Sequence, residues 1–526
     1  MKHHIWFGLM ALLVSCTPES TSPEPLRPVL TPRVIDDAQT TVLFRGKNLE
    51  EPQSVSVDGE MAEIVESNPD SVVIRLRQAL EQGDHTVLFT NKSGVSFTSP
   101  RGLKVIPGEV NTTNPRYLEP RALVVTYTPK VKGSLEGAWK KANYEIEASW
   151  EPFIPESTGI CGRVITALKD TDPSNRSTTD GFNALIEELG DSETVDFQIN
   201  ARHVDRGPDA YSGSLQAPVP TTVPAPLLPQ APKLSVAVLD TGLSDKTEIL
   251  RRGGSVDDAG RSFVFPNNIL SINDDALERR YDGTFVSNQN IGHGTAVATA
   301  LSRMASVNVV PLKVCDQTGT CKSPSVVAAI CYAASLAKRD ALPVRIMNLS
   351  LNSNASDPLV YQALQEASEQ GISIVVSSGN QRKNTVPYNP DSYPAYYSVD
   401  HPKGKHSAIA GLVAVGSVGT STTTNAFVPS EFSSEGPWVT LTALGENISL
   451  PRADGKGYYS FTGTSFSAPQ VAGRLAQILT LSPNLKPAEV KTMLLQNNIK
   501  VLPSCPTNRC GAGLLLSGTD AASHGQ

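Results

Sequence analysis

The second half of the chain alternates between two hydrophobic patterns. From residue 233 to about 520, apolar β-rich runs alternate with runs of helical character. Strands of a parallel sheet covered on both faces are near-continuous apolar runs, and helices connect them. The predicted strands are 234–239, 307–314, 344–351, 372–377 and 412–418, and the predicted helices are 325–337, 358–369, 468–481 and 487–495. This pattern predicts a doubly wound, mostly parallel α/β sheet in residues 233–520.

Two regions with other patterns precede this segment. Residues 31–107 alternate short β-rich runs with turn residues such as Asp58-Gly59, which predicts an all-β sandwich. The predicted strands there are 41–44, 54–57, 71–76, 85–90 and 95–98. Residues 120–205 predict a small α+β region. Its predicted elements are strands at 122–127, 144–149 and 163–167, a helix at 182–189 and an extended run to residue 203.

Two segments have compositions that do not suit a packed fold. Residues 206–232 contain seven prolines, which cannot continue a helix or a central strand, so this segment is the predicted linker. Its accessible backbone also suits cleavage by a processing protease. Residues 17–30 are rich in Pro, Ser, Thr and Glu and form a predicted tether.

The first 16 residues predict export. Lys2 precedes an apolar run at 5–14, which is too short to span a bilayer and is typical of a signal peptide. The run ends in Leu13-Val14-Ser15-Cys16, which resembles the lipobox of bacterial lipoproteins, where the cysteine is lipidated. The alternative is an ordinary signal peptide with a chance cysteine. The resemblance implies a lipid anchor in the cell envelope, with the folded part outside the cytoplasm.

Charge and cysteine content narrow the function classes further. A formal net charge of −7 over 526 residues argues against a nucleic-acid partner. Without Cys16, six of the seven cysteines remain, and an even number in an exported chain suggests disulfides. Spacing favours Cys505 with Cys510 and also suits Cys315 with Cys321, and the other pairings stay open. No Cys/His spacing indicates a zinc site.

Three motifs place polar residues where catalytic groups occur. Asp240-Thr241-Gly242 ends the first predicted strand, and sites in α/β folds form at the carboxyl ends of parallel strands. Gly292-His293-Gly294-Thr295 precedes an apolar helix, and its glycines let the imidazole approach another group closely. Ser377-Ser378-Gly379-Asn380 ends a buried strand. Each motif alone also fits a plain turn or a structural histidine.

The fourth motif, Gly463-Thr464-Ser465, begins a predicted helix, with Pro469 expected in its first turn. Ser465 therefore lies where free N–H groups and the helix dipole favour negative charge. A nucleophile whose reaction passes through an oxyanion could use that position. A simple helix cap is the alternative.

In this order, the four motifs resemble those of the subtilisin-like serine peptidases (subtilases) across nearly all of residues 233–520. Three further segments of the chain resemble the family: Asn348-Leu349-Ser350-Leu351, Phe432-Ser433-Ser434-Glu435-Gly436-Pro437 and Cys510-Gly511-Ala512-Gly513-Leu514-Leu515. The resemblance implies that Ser465 is the nucleophile, that His293 is its base and later the acid, and that Asp240 orients the imidazole. It implies an oxyanion hole formed by Asn380 and the backbone N–H of Ser465. The substrate-binding residues that it implies are Ser350, Leu351, Asn352, Ser378 and Gly379.

The upstream regions carry looser resemblances. Gly46-Lys47-Asn48-Leu49 and the turns that follow it resemble IPT/TIG immunoglobulin-like domains, which act as spacers or binding modules. The helix, acidic turn and strand that end the region 120–205 resemble the end of the inhibitory prosegment of secreted subtilases. A structural insert is the alternative there.

The chain also departs from the family pattern. Asn352 stands where many subtilases have Gly or Ser, which puts family rules for substrate preference in doubt. Ala296 replaces a second histidine, and Phe466-Ser467 replaces Met-Ala. Because subtilases often bind calcium, structural calcium is possible in the acidic loop that contains Asp257-Asp258 and Asp274-Asp275, although a solvated loop explains the same residues. The resemblance implies no cofactor for the chemistry.

The sequence therefore predicts a lipid-anchored, exported serine endopeptidase that is made as a zymogen and acts on proteins or peptides. It does not indicate an oligomeric state or whether processing releases the enzyme from its anchor. One alternative is a non-catalytic adhesion protein on a subtilase scaffold. Another is an α/β-hydrolase esterase, which needs a Gly-x-Ser-x-Gly elbow and the order Ser, acid, His. Here Ser467 occupies the second Gly position, and both partners precede Ser465.

Overall fold

The computed structural model describes most of the folded regions of the chain. The described residues are 29–31, 33–49, 52–81, 83–106, 118–189, 197–206, 234–243, 254–265, 292–316, 319–353, 356–380, 391–402, 406–421, 423–424, 426–451, 458–503 and 505–515. Cys16, most of the tether, the linker from residue 207 and Asp274-Asp275 lie outside them. The chain divides into two compact units, residues 1–105 and 106–526.

The first unit is built from two β-sheets. Its strands are β1 Val29–Thr31, β2 Arg33–Asp36, β3 Thr41–Lys47, β4 Pro52–Val57, β5 Glu60–Met61, β6 Glu63–Asn68, β7 Ser71–Arg75, β8 Gly83–Asn91 and β9 Ser96–Ile106. One sheet has the order β1-β3-β7-β6 and the other β2-β9-β8-β4-β5, with antiparallel pairs such as β3–β7 and β4–β8. Side chains from both sheets form one core, which includes Phe44, Ile74 and Phe89. All five predicted strands are present, whereas β6 was missed because its side chains are mostly exposed.

The upstream part of the second unit is an α+β region. Its elements are β10 Leu118–Tyr127, α1 Lys132–Lys141, β11 Tyr144–Trp150, β12 Val164–Asp170, α2 Thr178–Leu189 and β13 Phe197–Arg206. The strands form an antiparallel sheet in the order β11-β12-β10-β13, and Trp139 of α1 and Phe182 of α2 are buried. Helix α1 was not predicted, since Gly133 and Gly137 lower its intrinsic helix propensity.

The remainder of the second unit contains the large sheet and its helices. The strands are β14 Ser235–Asp240, β15 Ser255–Val256, β16 Arg261–Ser262, β17 Asn308–Lys313, β18 Thr320–Lys322, β19 Val344–Leu349, β20 Ser373–Ser377, β21 Leu412–Thr420, β22 Phe427–Pro429, β23 Leu441–Leu444, β24 Ile448–Pro451, β25 Tyr458–Phe461, β26 Ile499–Lys500 and β27 Leu514–Leu515. The helices are α3 His293–Ser302, α4 Ser323–Ser335, α5 Pro358–Glu369, α6 Thr464–Leu481, α7 Pro487–Asn497 and α8 Thr507–Cys510.

The central strands run parallel and are covered on both faces. Their order is β15-β17-β14-β19-β20-β21-β23-β27-β26, and every pair from β17 to β23 is parallel. Alternate residues of β14 enter different cores: Ala237 and Leu239 pack with α4 and α5, while Val236 and Val238 pack with α3, α6 and α7. The predicted mostly parallel α/β sheet is therefore confirmed. Among the helices that the structure describes, none is both long and apolar enough to cross a membrane.

Helix α6 corrects one detail of the sequence analysis. The helix begins at Thr464, four residues earlier than predicted, so Pro469 is its sixth residue. The expectation that Pro469 lies in the first turn was wrong, because the small polar residues before it continue the helix. Its missing N–H therefore leaves a carbonyl inside the helix without its usual partner.

Three disulfides lie in the second unit. Cys315 is bonded to Cys321 and Cys505 to Cys510, which are the two pairs that spacing favoured. The third bond joins Cys161, between β11 and β12, to Cys331 on α4. This bond connects the α+β region covalently to the α/β domain. The two parts also share backbone hydrogen bonds, because β13 pairs antiparallel with β18.

Helices α3 and α6 approach closely at Gly473. A Cβ atom there would lie 2.4 Å from Cβ of Met304 and 2.9 Å from the carbonyl oxygen of Leu301. Gly473→Ala should therefore overpack this contact and lower the free energy of unfolding by about 1–3 kcal/mol. Thermal unfolding in a Ser465→Ala background, which avoids self-digestion, measures the change.

Gly137 on α1 provides the matched control, because no atom lies within 4 Å of the Cβ that Gly137→Ala adds. That substitution should stabilise the protein by about 0.5–1 kcal/mol, since alanine is the better helix former. A Gly473→Ala protein at least as stable as the parent would contradict the close contact.

Candidate active site

Three neighbouring strands deliver the polar residues of the site to one edge of the sheet. β14, β19 and β20 lie side by side and parallel, so their carboxyl ends lie together. Asp240 is the last residue of β14, Ser350 follows β19, and Asn380 lies three residues beyond β20. Helices α3 and α6 begin at this edge, with His293 as the first residue of α3 and Ser465 as the second of α6.

Asp240 and His293 form a buried hydrogen-bonded pair. The imidazole Nδ1 donates to Oδ1 of Asp240 at 2.7 Å, and each side chain is only 3% exposed. The backbone N–H of Thr241 also donates to Oδ1 of Asp240, at 2.7 Å. With the Nδ1 proton directed at the carboxylate, Nε2 of a neutral imidazole carries the lone pair that can accept a proton.

Two glycines allow this pairing. Gly292 caps α3 with a φ of 83°, a conformation that L-residues rarely adopt. A Cβ on Gly294 would lie 2.1 Å from the carbonyl oxygen of Gly242, so only glycine fits between the two segments. The Gly-His-Gly pattern is therefore explained by the approach of α3 to the end of β14.

Ser350 secures the start of α6 through two contacts with Ser465. Pro469 has no N–H to donate to the carbonyl of Ser465, its partner four residues earlier. The hydroxyl of Ser350 donates to that carbonyl instead, at 2.9 Å, and itself accepts from Nδ2 of Asn348 at 3.0 Å. The hydroxyl of Ser465 in turn donates to the carbonyl of Ser350 at 3.4 Å. A side chain just after β19 therefore makes the hydrogen bond that α6 lacks beside the candidate nucleophile.

Asn380 is held by the residue before Ser465. Its Oδ1 accepts from both the backbone N–H and the hydroxyl of Thr464, at 2.9 and 2.8 Å. Because Oδ1 takes both bonds, the amide NH₂ remains available to donate toward an oxyanion. The side chain lies at the turn where Gly379 adopts a φ of 98°.

His293 and Ser465 are not hydrogen-bonded to each other in this structure. Nε2 of His293 has no hydrogen-bond partner among the residues described, and the Ser465 hydroxyl is engaged with Ser350. Helix α3 nevertheless packs against α6, where the Phe466 ring lies 5.3 Å from the imidazole. Catalytic hydrogen bonds are often loose without substrate and tighten when it binds.

Of the predicted substrate-binding residues, Asn352 and Ser378 lie beside Gly379. Leu351 is buried in the core, so only its backbone is available to a peptide. A Cβ on Gly379 would meet Oγ of Ser392, Oγ of Ser434 and Nδ2 of Asn352 at 2.7, 2.9 and 3.0 Å. The neighbouring Ser378 is buried, and its hydroxyl has no partner within the described part of the chain. The surroundings of Gly379 are therefore polar and crowded.

Asp257, one residue of the possible calcium loop, is committed to protein contacts. Arg339 and the amide of Asn308 donate to its Oδ2 at 2.8 and 2.6 Å, and the Ala259 N–H donates to Oδ1. Burial alone would raise the pKa of Asp257, but these hydrogen bonds outweigh burial and hold the pKa below its usual value. No cluster of three or more His, Cys, Asp or Glu residues suited to a metal occurs among the described residues.

Sequence reasoning missed several supporting residues. Thr464 donates a hydrogen bond to Asn380. The Ser350 hydroxyl donates to the carbonyl that Pro469 leaves without a donor. Ser392 lies against Gly379. Strand β18 was also missed as the edge that pairs with β13. The only sequence signal for β18 was the short Cys315–Cys321 loop. Pro469 is a sequence signal for the hydrogen bond from Ser350, since a proline inside a helix leaves a carbonyl that needs a donor from outside the helix.

Comparison with known proteins places this geometry in a family context. The model described as Subtilase family, Peptidase S8, matches residues 232–513, which is more than half of the chain. Alkaline elastase YaB from Bacillus sp. (strain YaB) is 27% identical over 290 residues, which cover 53% of this chain and 62% of that protein. An Extracellular protease from Xanthomonas campestris pv. campestris is 29% identical over 246 residues, covering 42% and 38%. The chain thus spans less than two thirds of the length of either relative.

A solved structure extends the comparison upstream. Fervidolysin from Fervidobacterium pennivorans, described as a keratinolytic enzyme related to subtilisin, matches with a TM-score of 0.53 and 18% identity. The match covers 78% of this chain and 62% of fervidolysin. Residues 232–513 make up a smaller share of the chain than this match covers, so the fold similarity extends beyond the α/β domain. At this identity, the likeness concerns the fold alone.

The Ser350–Ser465 bond generates a coupled prediction. Ser350→Ala should leave the carbonyl of Ser465 buried without a donor, which costs about 1–3 kcal/mol of unfolding free energy. Pro469→Ala restores the N–H that can donate to this carbonyl within α6. The double variant Ser350→Ala/Pro469→Ala should therefore recover most of the lost melting temperature, and a double-mutant cycle measures the coupling.

If the stability losses of Ser350→Ala and Pro469→Ala were strictly additive in the double variant, the Ser350 hydroxyl would not be replacing the missing N–H of residue 469. A matched control is Ser467→Ala, which removes a hydroxyl on the same helix that donates to the carbonyl of Ala443 at 3.2 Å. Its effect should be independent of Pro469→Ala.

Proposed function

The chain belongs to the subtilase family of serine endopeptidases, and we propose that it hydrolyses peptide bonds through an acyl-enzyme formed on Ser465. The observation that carries the proposal is the buried Asp240–His293 hydrogen bond, which leaves Nε2 of the imidazole as a proton acceptor at the start of the helix pair α3/α6. Subtilases need no cofactor for this chemistry, and proteins or peptides are the substrates of a peptidase of this family.

The first half of the reaction uses all three residues of the proposed triad. The Ser465 hydroxyl leaves the carbonyl of Ser350 and transfers its proton to Nε2 of His293 as Oγ attacks the scissile carbonyl carbon. The resulting imidazolium is stabilised by the Asp240 carboxylate, which the Thr241 N–H holds in place. His293 then returns the proton to the leaving amine, and the acyl group stays on Ser465.

Water completes the reaction by the same route. His293 removes a proton from water, hydroxide attacks the acyl carbon, and the proton passes to Ser465 as it leaves. We propose that the amide NH₂ of Asn380 and the N–H of Ser465 stabilise the oxyanion in both halves. The bonds from Thr464 to Oδ1 support this role, because they fix which end of the Asn380 amide faces the reaction.

We propose that Ser350, Leu351, Asn352, Ser378 and Gly379 bind the substrate residues before the cut. Backbone groups after β19 would pair with an extended peptide. The polar atoms of Asn352, Ser392 and Ser434 around Gly379 would then limit the size of the side chain accepted next to the cut. Substrate preferences of relatives with a glycine at the position of Asn352 should not transfer to this protein.

We propose that the protein is exported and held in the cell envelope by lipid on Cys16. Three disulfides suit an oxidising compartment, and one relative is described as an Extracellular protease.

The two packed sheets of residues 29–106 suit the proposed IPT/TIG-like spacer between the anchor and the enzyme. Any calcium would have a structural role only, and Asp257 is already paired with Arg339. The charge argues against nucleic acid as a partner.

We also propose that residues 120–205 act as an inhibitory prosegment, joined by the linker 206–232 to the peptidase domain 233–520. The supporting observation is the antiparallel pairing of β13 with β18, in the manner of an extended peptide added to a sheet edge. β18 lies near the site, because the N–H of Cys315, at the base of its loop, donates to the carbonyl of Asp240 at 3.2 Å.

Substitution of the nucleophile tests the function. Ser465→Ala should abolish casein cleavage and labelling by a fluorophosphonate, because it removes the hydroxyl that would give its proton to His293. Ser467→Ala, two residues along the same buried helix, should keep both. A parent enzyme that neither cleaves casein nor is labelled would instead support the adhesion protein on an inactive scaffold.

Processing is tested by N-terminal sequencing of active enzyme from the membrane and soluble fractions. We expect the catalytic chain to begin within residues 206–232, since the sequence predicts a proline-rich linker there and such linkers suit cleavage by a protease. Active enzyme with peptide bonds intact from residue 17 to residue 233 would show that the upstream region is a structural insert.

A further inference from the structure

The upstream α+β region is attached to the peptidase domain more firmly than a segment destined for release. Cys161 lies before the proposed cleavage segment and Cys331 lies after it, and both are fully buried. Their disulfide closes a loop of 170 residues that contains the whole linker. A cut anywhere between residues 206 and 233 therefore leaves the two products covalently joined.

Buried hydrogen bonds and close packing surround the disulfide. Glu366 on α5 accepts the backbone N–H of Cys161 at 3.0 Å and also accepts the hydroxyl of Ser157. A Cβ on Gly159 would lie 2.4 Å from the Glu366 carboxylate, so the loop is fitted closely over this acid. Glu366 is buried, and its two donors both come from the α+β region.

Apolar contacts extend the interface from the disulfide toward β18. Phe153 lies 5.7 Å from the Tyr332 ring on α4, and Trp150 lies 5.7 Å from Phe265, both in edge-to-face geometry. Ile154, Ile160 and Ile165 belong to the same buried core as α4 and α5. Near β18, Lys322 pairs with Glu119 of β10 at 3.3 Å.

We infer that the α+β region of residues 118–206 stays attached to the processed enzyme as part of a second chain, which the Cys161–Cys331 bond holds on the α4/α5 face. The inference deepens the proposed function and rests on the proposed cut in the linker. Tethering gives β13 an effective concentration of about millimolar at the β18 edge. Cleavage of the linker alone therefore leaves that edge occupied, and β13 competes with extended substrates after the cut.

The same bond determines which fragment stays with the anchor. The upstream product carries residue 16, and the disulfide connects it to the peptidase domain. A processed enzyme with lipid on Cys16 thus stays in the membrane fraction, with two chains that separate only under reducing conditions.

The covalent part is tested on the full chain in the Ser465→Ala background, with a site for a sequence-specific protease placed in the linker. After the cut and alkylation of free thiols, a denaturing gel without reductant should show one species of the uncut mass. Dithiothreitol should resolve it into two. Two fragments in the absence of reductant would overturn the inference, and this measurement needs no cysteine variant.

Cysteine variants supply the matched controls for the gel. Cys161→Ser/Cys331→Ser should give two fragments without reductant, whereas Cys505→Ser/Cys510→Ser, which removes a different disulfide, should still give one. A single species from the Cys161→Ser/Cys331→Ser protein would show that another bond joins the fragments and would also overturn the inference.

The competition part uses the same linker site in chains that keep Ser465. After the cut and dilution to nanomolar concentration, the Cys161→Ser/Cys331→Ser enzyme should hydrolyse a fluorogenic peptide at least about tenfold faster than the cut parent. Equal rates would show that the retained chain does not compete with substrate. Absence of hydrolysis and of fluorophosphonate labelling in both proteins would instead reject the proposed function, and the gel result would still decide the covalent attachment.

Discussion

Burying a carboxylate is costly unless it is paired and hydrogen-bonded, and the candidate active site is arranged around Oδ1 of Asp240, which has both kinds of partner. Oδ2 of Asp240 has no hydrogen-bond partner among the described residues. Its Oδ1 takes the N–H of Thr241 and Nδ1 of His293, so the end of β14 and the start of α3 must meet. That approach requires glycine at 294, where a side chain would strike the backbone of Gly242. Helix α6 must then pack on α3 closely enough to bring Ser465 to the same edge, which Gly473 permits.

The sequence predicted the features whose causes are local. Apolar runs predicted the central strands of the large sheet, and helix α5 was predicted with the bounds that the structure shows, because Pro358 begins it and Gly371 follows its end. Asp240, His293, Asn380 and Ser465 stood out because glycines and strand ends surround them. The proline inside α6 signals that a carbonyl lacks its helical donor, but the identity of that donor could not be predicted, since Ser350 and Ser465 are 115 residues apart and their proximity depends on the sheet order. Helix α1 and strand β6 were not predicted for a local reason, because glycines in α1 and exposed polar residues in β6 obscure the hydrophobic periodicity.

The two parts of the second unit are linked by more than sequence continuity. One core runs from Val124 and Ile165 of the α+β region to Leu239 and Leu312 of the large sheet. The β13–β18 pairing and the Cys161–Cys331 bond lie at different points of that interface. The upstream region is thus joined to the α/β domain both by backbone pairing with β18 and by a covalent bond to α4.

The spacing of the cysteines also bears on how the chain matures. Synthesis proceeds from the N-terminus, so Cys161 is made before Cys315 and Cys321, and these two are made before its native partner Cys331. The Cys315–Cys321 loop spans only six residues and turns at Gly319, so it closes at a much lower entropic cost than any loop to Cys161. Early closure of this hairpin removes two competing thiols. With the short loop closed first, Cys161 would meet Cys331 without competition from Cys315 or Cys321.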